Sequence, residues 1–201
     1  MSDPFGPWEP CTPEELSELL RPLRVPWWIA GGYGIELAVG RPLRAHGDID
    51  VLLLRRDQSE LPRLLGDWEL CAADPPGTLR PWREGEWLGP RVHDIWCRRP
   101  GGPWRIQVML DESDGADWVS RRDSRLRRNS ARLGAWTAQG IPYLAPEIGL
   151  FYKAQRPRAR DESDFAAVAG LLGPAARGWL AGAIVANYGA GHPWLAPLRQ
   201  V

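Results

Sequence analysis

Residues 31–54, which read GGYGIELAVGRPLRAHGDIDVLLL, decide the fold. Two glycines follow an apolar run, and two aspartates, Asp48 and Asp50, stand one residue apart at the head of a second apolar run. Glycines after a strand let the backbone turn sharply and approach a ligand closely, which leaves amides free to meet phosphate oxygens. Aspartates at i and i+2 of a strand point to the same side of the sheet. The stretch therefore predicts a site for a nucleotide and its metal ions.

The aspartate pair indicates a cation. Two carboxylates held side by side repel each other unless a positive charge lies between them. Hard divalent ions such as Mg²⁺ suit oxygen ligands, and a pair of them can hold a triphosphate during an in-line displacement. The structural alternative is a strand-edge turn with two solvated aspartates. Arg44 and His46, which stand between the glycines and the aspartates, make that alternative less favoured.

Composition excludes several classes of protein. The chain has 201 residues, with 25 acidic against 25 basic residues. No basic field therefore covers the whole protein to hold a nucleic-acid duplex, although a local cationic groove stays open. Three widely spaced cysteines without a C-x-x-C pair indicate neither a disulfide framework nor a zinc knuckle. The N-terminus lacks the pattern of a signal peptide, and no apolar run reaches the ~18 residues of a membrane span, so we expect a cytoplasmic protein.

The layout predicts an α+β protein, with a mixed β-sheet domain flanked by helices over residues 1–140 and a small C-terminal helical bundle over residues 141–201. A capping box, T-P-E-E at residues 12–15, predicts a first helix that runs to about residue 24. Apolar runs between glycine and proline turns predict strands at residues 25–30, 48–55, 91–98 and 104–112, the last two as an antiparallel hairpin. Further helices are predicted at residues 35–39, 57–65, 146–155, 161–172 and 174–188.

The compound motif around the glycines resembles a known superfamily. The chain has the pattern W-x-x-G-G-aromatic-x-x-(D/E), a near match to L-G-R, and R-x-H-x-D-(I/L)-D. The matching residues are Trp28, Gly31, Gly32, Tyr33, Glu36, Val39, Gly40, Arg41, Arg44, His46, Asp48, Ile49 and Asp50. The stretch, about residues 27–54, is similar to nucleotidyltransferases of the DNA-polymerase-β kind. More narrowly, it resembles the antibiotic-resistance nucleotidyltransferases that adenylylate aminoglycosides or lincosamides.

The resemblance implies roles for individual residues. Gly31 and Gly32 would cradle the phosphates of the nucleotide. Asp48 and Asp50 would be the catalytic carboxylates and the Mg²⁺ ligands, in what resembles a two-metal site. Arg44 and His46 would contact the triphosphate, with a purely structural turn role as the alternative for His46. For Glu36, exposure on a helix and a function stay equally open.

One position departs from the superfamily pattern. The superfamily often adds a third carboxylate from a neighbouring strand, which binds metal or deprotonates the acceptor hydroxyl. Gln107 stands at the position that aligns with it, and an amide cannot act as a base. Asp111 shares the face of Gln107 by alternation, and Asp94 lies on the preceding strand, but we expect both to be solvated strand residues. The general base is therefore unassigned, and reduced or lost activity stays open.

Lys153 is the single lysine of the chain. A lysine followed by a basic residue and D-x-x-D recurs in the helical segment of related nucleotidyltransferases. By this resemblance Lys153 would meet the β or γ phosphate as a point charge, and a surface lysine is the alternative. For Asp161 and Asp164, capping of the next helix start is the favoured interpretation.

Two further groups of residues, tryptophans and arginines, have both a functional and a structural interpretation. Trp82 and Trp87 could stack on a base or form a wall for the acceptor, whereas most other tryptophans are expected in the core. A cluster of arginines could guide an anionic substrate, but in so arginine-rich a chain we expect a solvated face. Its members are Arg121, Arg122, Arg125, Arg127 and Arg128.

Three functions are consistent with these residues. The first is a Mg²⁺-dependent nucleotidyltransferase that moves a nucleoside monophosphate, AMP from ATP, to a hydroxyl of a small molecule such as an aminoglycoside- or lincosamide-like compound. The second has tRNA or a protein as acceptor, as in nucleotidyltransferase toxins, and the neutral net charge counts against it. The third is a nucleotide-binding protein that kept the fold and lost turnover. Gln107 supports it, and the intact Asp48 and Asp50 argue against it.

Overall fold

The computed structural model describes residues 5–199. In chain order the strands are β1 to β10 and the helices α1 to α7, with short 3-10 turns between some of them. The strands are Trp27–Ile29, Asp50–Leu54, Glu69–Ala72, Arg80–Pro81, Asp94–Arg98, Trp104–Asp114, Asp117–Val119, Arg127–Asn129, Gly134–Trp136 and Pro142–Leu144. The helices are Pro13–Leu20, Gly31–Val39, Glu60–Leu64, Pro146–Lys153, Ala159–Val168, Pro174–Tyr188 and Leu195–Arg199.

A mixed sheet forms the centre of the protein, as the sequence predicts. Its strand order is β4-β3-β5-β6-β2-β1-β10-β9, and β7 and β8 extend it from the end of β6. The pairs β2–β6 and β1–β10 are parallel, and the other pairs are antiparallel. The predicted antiparallel hairpin is confirmed as β5 and β6. The α+β fold class is therefore confirmed.

Strand β2 is buried on both faces, which explains its continuous run of apolar residues. Val51 and Leu53 join one core cluster with residues of α1 and α3. Leu52 and Leu54 point to the opposite face and pack in a second cluster with Trp118. Asp50 is the first residue of β2 and lies on that second face, because side chains alternate along a strand.

Local signals in the sequence produce the first helix where they predict it. The Thr12 hydroxyl accepts a hydrogen bond from the Glu15 amide at 3.2 Å, and the Glu15 carboxylate accepts one from the Thr12 amide at 3.0 Å. This reciprocal pair is the predicted capping box, and α1 begins at the next residue, Pro13. The helix ends at Leu20, four residues before the predicted end.

The C-terminal helices α4 and α5 pack on α2, α6 packs on α4, and α7 packs on α6. Ile35 of α2 lies in one buried cluster with Phe151 of α4 and Phe165 of α5. Strand β10 pairs with β1 and β9, so the sheet continues to Leu144, past the expected boundary at residue 140. Between residues 5 and 199, none of the helices combines the length and the apolar character that crossing a bilayer requires.

Two expectations around the opening stretch are wrong in detail. Helix α2 begins at Gly31 and not after a separate glycine turn, because Ala30 is extended and Gly31, with φ of +60°, makes the turn within one residue. Asp48 lies in the loop two residues before β2, so only Asp50 belongs to the strand. Strands β3, β4 and β7 to β10 match none of the four strands predicted individually, and helix α7 has no predicted counterpart.

Candidate active site

Gly31 and Asp50 meet at the junction of β1, α2 and β2. The Ala30 amide donates to the Asp50 carbonyl at 2.8 Å, which brings the start of α2 against the start of β2. A Cβ atom at Gly31 would overlap Oδ2 of Asp50, and the positive φ of Gly31 also disfavours other residues. Since the first amides of a helix have no partner within the helix, this junction presents N–H groups beside a carboxylate.

A cavity of about 400 Å³ opens at this junction. Its wall contains Gly31 and Asp50 together with Lys153 from α4. It continues over the second face of the sheet, along Leu52 and Met109. Three of the predicted site residues are therefore brought together in one cavity. The others, Gly32, Arg44, His46 and Asp48, are not part of its wall.

The electrostatics of Asp50 favour a cation at this place. Burial and the negative charges of Asp48 and Asp94 raise the pKa of the Asp50 carboxyl to about 7, against the partial opposing effects of Lys153 and Arg160. A carboxylate in this position is stabilised by a nearby cation. Asp48 and Asp50 thus fit as oxygen ligands of a divalent ion. In residues 5–199, no group of three or more Asp, Glu, His or Cys side chains is arranged to hold an ion by itself.

Lys153 is held by two buried aspartates. Its ammonium lies 3.0 Å from Oδ1 of Asp161 and 2.9 Å from Oδ2 of Asp164, and these aspartate side chains are 2% and 1% exposed. Burial alone would raise the pKa of Asp161, but hydrogen bonds from Arg158 and Lys153 hold it below its usual range. Asp161 also accepts from the Arg158 amide at 3.0 Å, so its predicted place at the start of α5 is confirmed. The expectation that capping is the main role is wrong for Asp164, which pairs with Lys153 inside the helix.

Glu36 organises the loop that carries Arg44 and His46. Its carboxylate accepts from the Leu43 amide at 2.7 Å and the Arg44 amide at 3.0 Å, and it lies 2.8 Å from Nε2 of His46. Glu36 is buried, so the option of an exposed helix residue is wrong. A Cβ at Gly32 would overlap the side chains of Arg44 and His46. Gly32 is therefore required by the packing of this loop.

The strand register places Gln107 opposite Asp50. The two residues are Cα partners in the parallel pair of β2 and β6, which is the position where the superfamily resemblance expects a third carboxylate. Nε2 of Gln107 donates to Oδ1 of Asp94 on β5 at 3.1 Å. Asp94 is half-buried and fixed by this bond, so its expected solvated state is wrong. The Asp94 carboxylate therefore lies one strand further from Asp50 than Gln107 does.

Asp111 is buried and not solvated as expected. It is 1% exposed, and its Oδ2 accepts from Nε1 of Trp118 at 2.7 Å and from the hydroxyl of Tyr152 at 2.8 Å. Burial raises the pKa of this carboxyl. It lies in the cavity wall, two positions beyond Met109 on the same face of β6. Alternation along β6 was the signal that placed Asp111 on the site face.

The arginine cluster divides between the cavity and the surface. Arg121 and Arg122 lie in the cavity wall and stack over the Tyr152 ring, with guanidinium–centroid distances of 5.1 and 4.9 Å. Arg121 is partly buried, so the expected solvated face is wrong for it, whereas Arg122 is exposed as expected. The others form ion pairs outside the cavity: Arg125 with Asp123, Arg127 with Asp114, and Arg128 with Glu147.

The two tryptophans considered for substrate contact lie elsewhere. Trp82 and Trp87 line a separate groove with Trp68, on the side of the sheet where α3 packs. Trp87 is 58% exposed. Neither residue belongs to the cavity that contains Asp50, so stacking on a bound nucleotide there is not supported.

Comparisons with known proteins agree with this fold. A family profile of aminoglycoside-2''-adenylyltransferases matches residues 14–73, which include Gly31 and Asp50. A comparison with curated proteins found no match. Among solved structures, the lincomycin-bound lincosamide antibiotic adenylyltransferase LnuA is 15% identical, covers 82% of this chain and 100% of its own, and has a TM-score of 0.56. The fold is that of a nucleotidyltransferase.

A second solved protein gives the same result twice. ANT(2'')-Ia in complex with adenylyl-2''-tobramycin is 13% identical, with 85% of this chain and 93% of that chain covered and a TM-score of 0.53. Its solution structure is 16% identical, with 86% and 89% covered and a TM-score of 0.51. The resemblance to antibiotic nucleotidyltransferases is thus confirmed. The roles of individual site residues stay predictions.

Proposed function

We propose that this protein is a Mg²⁺-dependent nucleotidyltransferase that transfers AMP from ATP to a hydroxyl of a small molecule, with pyrophosphate as the leaving group. The observation that carries the proposal is the convergence of the α2 N-terminus at Gly31, the carboxylate of Asp50 and the ammonium of Lys153 in one cavity. These groups come from two distant parts of the chain, residues 31–50 and helix α4. Each has the charge or the hydrogen-bonding capacity that a triphosphate with its metal requires.

The chain supplies the groups that bind and orient the triphosphate. The first-turn amides of α2 donate to phosphate oxygens, and Lys153 places a positive charge across the cavity from them. Mg²⁺ held by Asp48 and Asp50 would neutralise negative charge on the phosphates during displacement. The Arg44 amide donates to Glu36, and the Arg44 guanidinium lies 3.5 Å from Asp164 of α5. Arg44 thus holds its loop against α5, the helix that carries Asp161 and Asp164.

We assign the proton-accepting role to Asp94. Gln107 occupies the strand position next to Asp50 and cannot accept a proton, but its amide fixes the Asp94 carboxylate at 3.1 Å. Asp94 is close enough to Asp50 to raise its pKa. In this assignment the acceptor hydroxyl loses its proton to Asp94 as its oxygen attacks the α-phosphorus, and the bond to pyrophosphate breaks.

We base the proposed class of acceptor on the ligands of two similar solved structures. LnuA is described with lincomycin, and ANT(2'')-Ia with adenylylated tobramycin. We therefore propose a hydroxyl-bearing small molecule of antibiotic type and a role in resistance. A nucleotide-binding protein without turnover is the second candidate, and the observation that favours it is Gln107 in place of a carboxylate.

A label-transfer experiment tests the proposal. ATP labelled at the α-phosphorus is incubated with Mg²⁺ and, separately, with tobramycin, lincomycin or bulk tRNA, and the label on each acceptor is counted. Transfer to one of the small molecules, lost in Asp50→Asn, is the expected result. Transfer to tRNA alone would indicate a nucleotidyltransferase with a macromolecular acceptor. Mg²⁺–ATP binding without transfer to any of the three and without pyrophosphate release would favour the inactive protein.

A further inference from the structure

The far end of the cavity carries a second set of polar groups. Register pairs Asp50 with Gln107, Leu52 with Met109 and Leu54 with Asp111. Asp111 therefore lies four residues along the sheet from the level of Asp50, which is about 13 Å at ~3.3 Å per residue. Between these two levels the cavity wall is apolar, with Leu52 and Met109 side by side. A phosphate end and a second polar end are thus separated by an apolar surface.

Three buried polar atoms at or near this far end lack hydrogen bonds. Oδ2 of Asp111 accepts from Trp118 and Tyr152, but its Oδ1 is buried and has no hydrogen-bond partner within the described chain. Nη1 of Arg121 is buried and unbonded in the same way. Nε of Arg121 lies 3.7 Å from Oδ1 of Asp111, which is an ion pair but too long for a good hydrogen bond. His93 lies nearby, and its Nδ1 is also unbonded.

Unbonded buried polar atoms require an explanation, because each costs the desolvation of the group without compensation. A carboxylate only accepts hydrogen bonds and a guanidinium only donates them. The matching ligand therefore presents a donor and an acceptor side by side at the end of a flat apolar body. The heterocyclic edge of a nucleobase has this arrangement, and its ring faces suit an apolar wall.

We propose that Asp111 and Arg121 form the base-recognition end of the nucleotide site and select a purine with an amino group at position 6. The substituent at position 6 projects furthest from the ring system and reaches the deepest group, which is Oδ1 of Asp111. That group is an acceptor, so the substituent must be a donor. Arg121, whose side chain is 20% exposed, donates to the neighbouring ring nitrogen. An oxygen at position 6 would face the carboxylate and repel it.

This inference rests on the proposed function, and one binding experiment separates the two. Calorimetry with Mg²⁺ compares ATP, ITP and inorganic tripolyphosphate on the full chain. We expect ATP to bind about tenfold or more tightly than ITP, since ITP carries an oxygen in place of the amine and a proton on the neighbouring ring nitrogen N1. Tripolyphosphate should bind wild type and variants alike. If neither ATP nor tripolyphosphate binds, the proposed function fails. If both bind but ITP equals ATP, only this inference is overturned.

Variants locate the discrimination. Asp111→Asn keeps the size of the side chain but offers a donor, so the ATP-to-ITP ratio should fall below about threefold. Arg121→Met should weaken ATP while leaving tripolyphosphate unchanged, and circular dichroism checks that the variant is folded, because the change removes the ion-pair partner of the buried Asp111. Arg125→Met is the matched control, because Arg125 lies in the same segment and pairs with Asp123 outside the cavity. An unchanged ratio in Asp111→Asn and Arg121→Met would show that the two residues form only a structural ion pair.

Discussion

At the scale of single residues, Asp50 couples the proposed site to stability. Its carboxyl has a pKa of about 7 in the folded protein against an ordinary value of 3.8. Between these values the folded state binds more protons than the unfolded state, so the free energy of unfolding falls as the pH rises through this window. Asp50→Asn removes the buried charge. We expect the variant to melt at a higher temperature than wild type at pH 8.

Thermal melts from pH 5 to pH 8 check this prediction. The difference in melting temperature should shrink toward pH 5, where Asp50 is protonated and resembles asparagine. Added Mg²⁺ with ATP should raise the melting temperature of wild type and leave the variant unchanged. Asp67→Asn, at an exposed residue, is the control and should follow wild type. A pH-independent difference would contradict the raised pKa.

Lys153 is expected to contribute both to stability and to nucleotide binding. Lys153→Met leaves Asp161 and Asp164 buried with one cation fewer, which lowers the free energy of unfolding by about 3 kcal/mol. Mg²⁺–ATP binding should weaken by roughly 1.5–3 kcal/mol, the range for a hydrogen bond to a charged group. Lys153→Arg should restore only part of both losses, because the planar guanidinium approaches differently. Calorimetry and denaturant unfolding measure the two effects.

Chemical labelling gives an independent check on Lys153. Its side chain is 11% exposed, so an amine reagent should label it slowly even without nucleotide. Saturating Mg²⁺–ATP should slow the labelling of Lys153 further and leave the N-terminal amine unaffected. Equal labelling of Lys153 with and without nucleotide would place it outside the phosphate site.

At the scale of elements, the start of α2 depends on Gly31. A side chain there would overlap Asp50 and would also require a disfavoured backbone conformation, which costs about 1–2 kcal/mol. Gly31→Ala should therefore abolish Mg²⁺–ATP binding and lower the melting temperature. Gly47→Ala is a matched control in the same stretch, because a Cβ at Gly47 meets nothing within 4 Å. Wild-type binding by Gly31→Ala, measured by calorimetry, would sink the assignment of this junction.

The neighbouring strands β5 and β6 test the assignment of the base. Asp94→Asn keeps the contact geometry with Gln107 but removes the proton acceptor. We expect kcat to fall about 10²- to 10⁴-fold, with the affinity for Mg²⁺–ATP nearly unchanged. The Asp67→Asn variant again serves as the control. An unchanged kcat in Asp94→Asn would contradict the role of Asp94.

Local signals made parts of these elements predictable from the sequence. The capping box of α1, the β5–β6 hairpin and the glycine–aspartate spacing depend on neighbouring residues, so they could be predicted. The burial of Asp111 could not be predicted, because it depends on Trp118 and Tyr152, which lie on β7 and α4. Glu36 was ambiguous for the same reason: its partners lie in the following loop and are placed only by the fold.

At the scale of the whole molecule, the sheet and the C-terminal helices jointly form the cavity. Gly31, Asp50 and Asp111 come from the sheet side, whereas Tyr152 and Lys153 come from α4. The domain boundary that the sequence predicts at residue 140 therefore separates residues that would bind one ligand. The solved nucleotidyltransferases share this architecture at 13–16% identity, so the fold is retained although few residues are. Specificity must be read from the residues of this cavity.

The central claim is that Asp48 and Asp50 hold a metal-bound nucleotide in this cavity. Calorimetric titration of Mg²⁺–ATP into wild type, Asp48→Asn and Asp50→Asn tests it most directly, with circular dichroism to confirm that each variant is folded. We predict one equivalent bound by wild type, no measurable binding without Mg²⁺, and loss of binding in both variants. Wild-type affinity in both folded variants would contradict the claim.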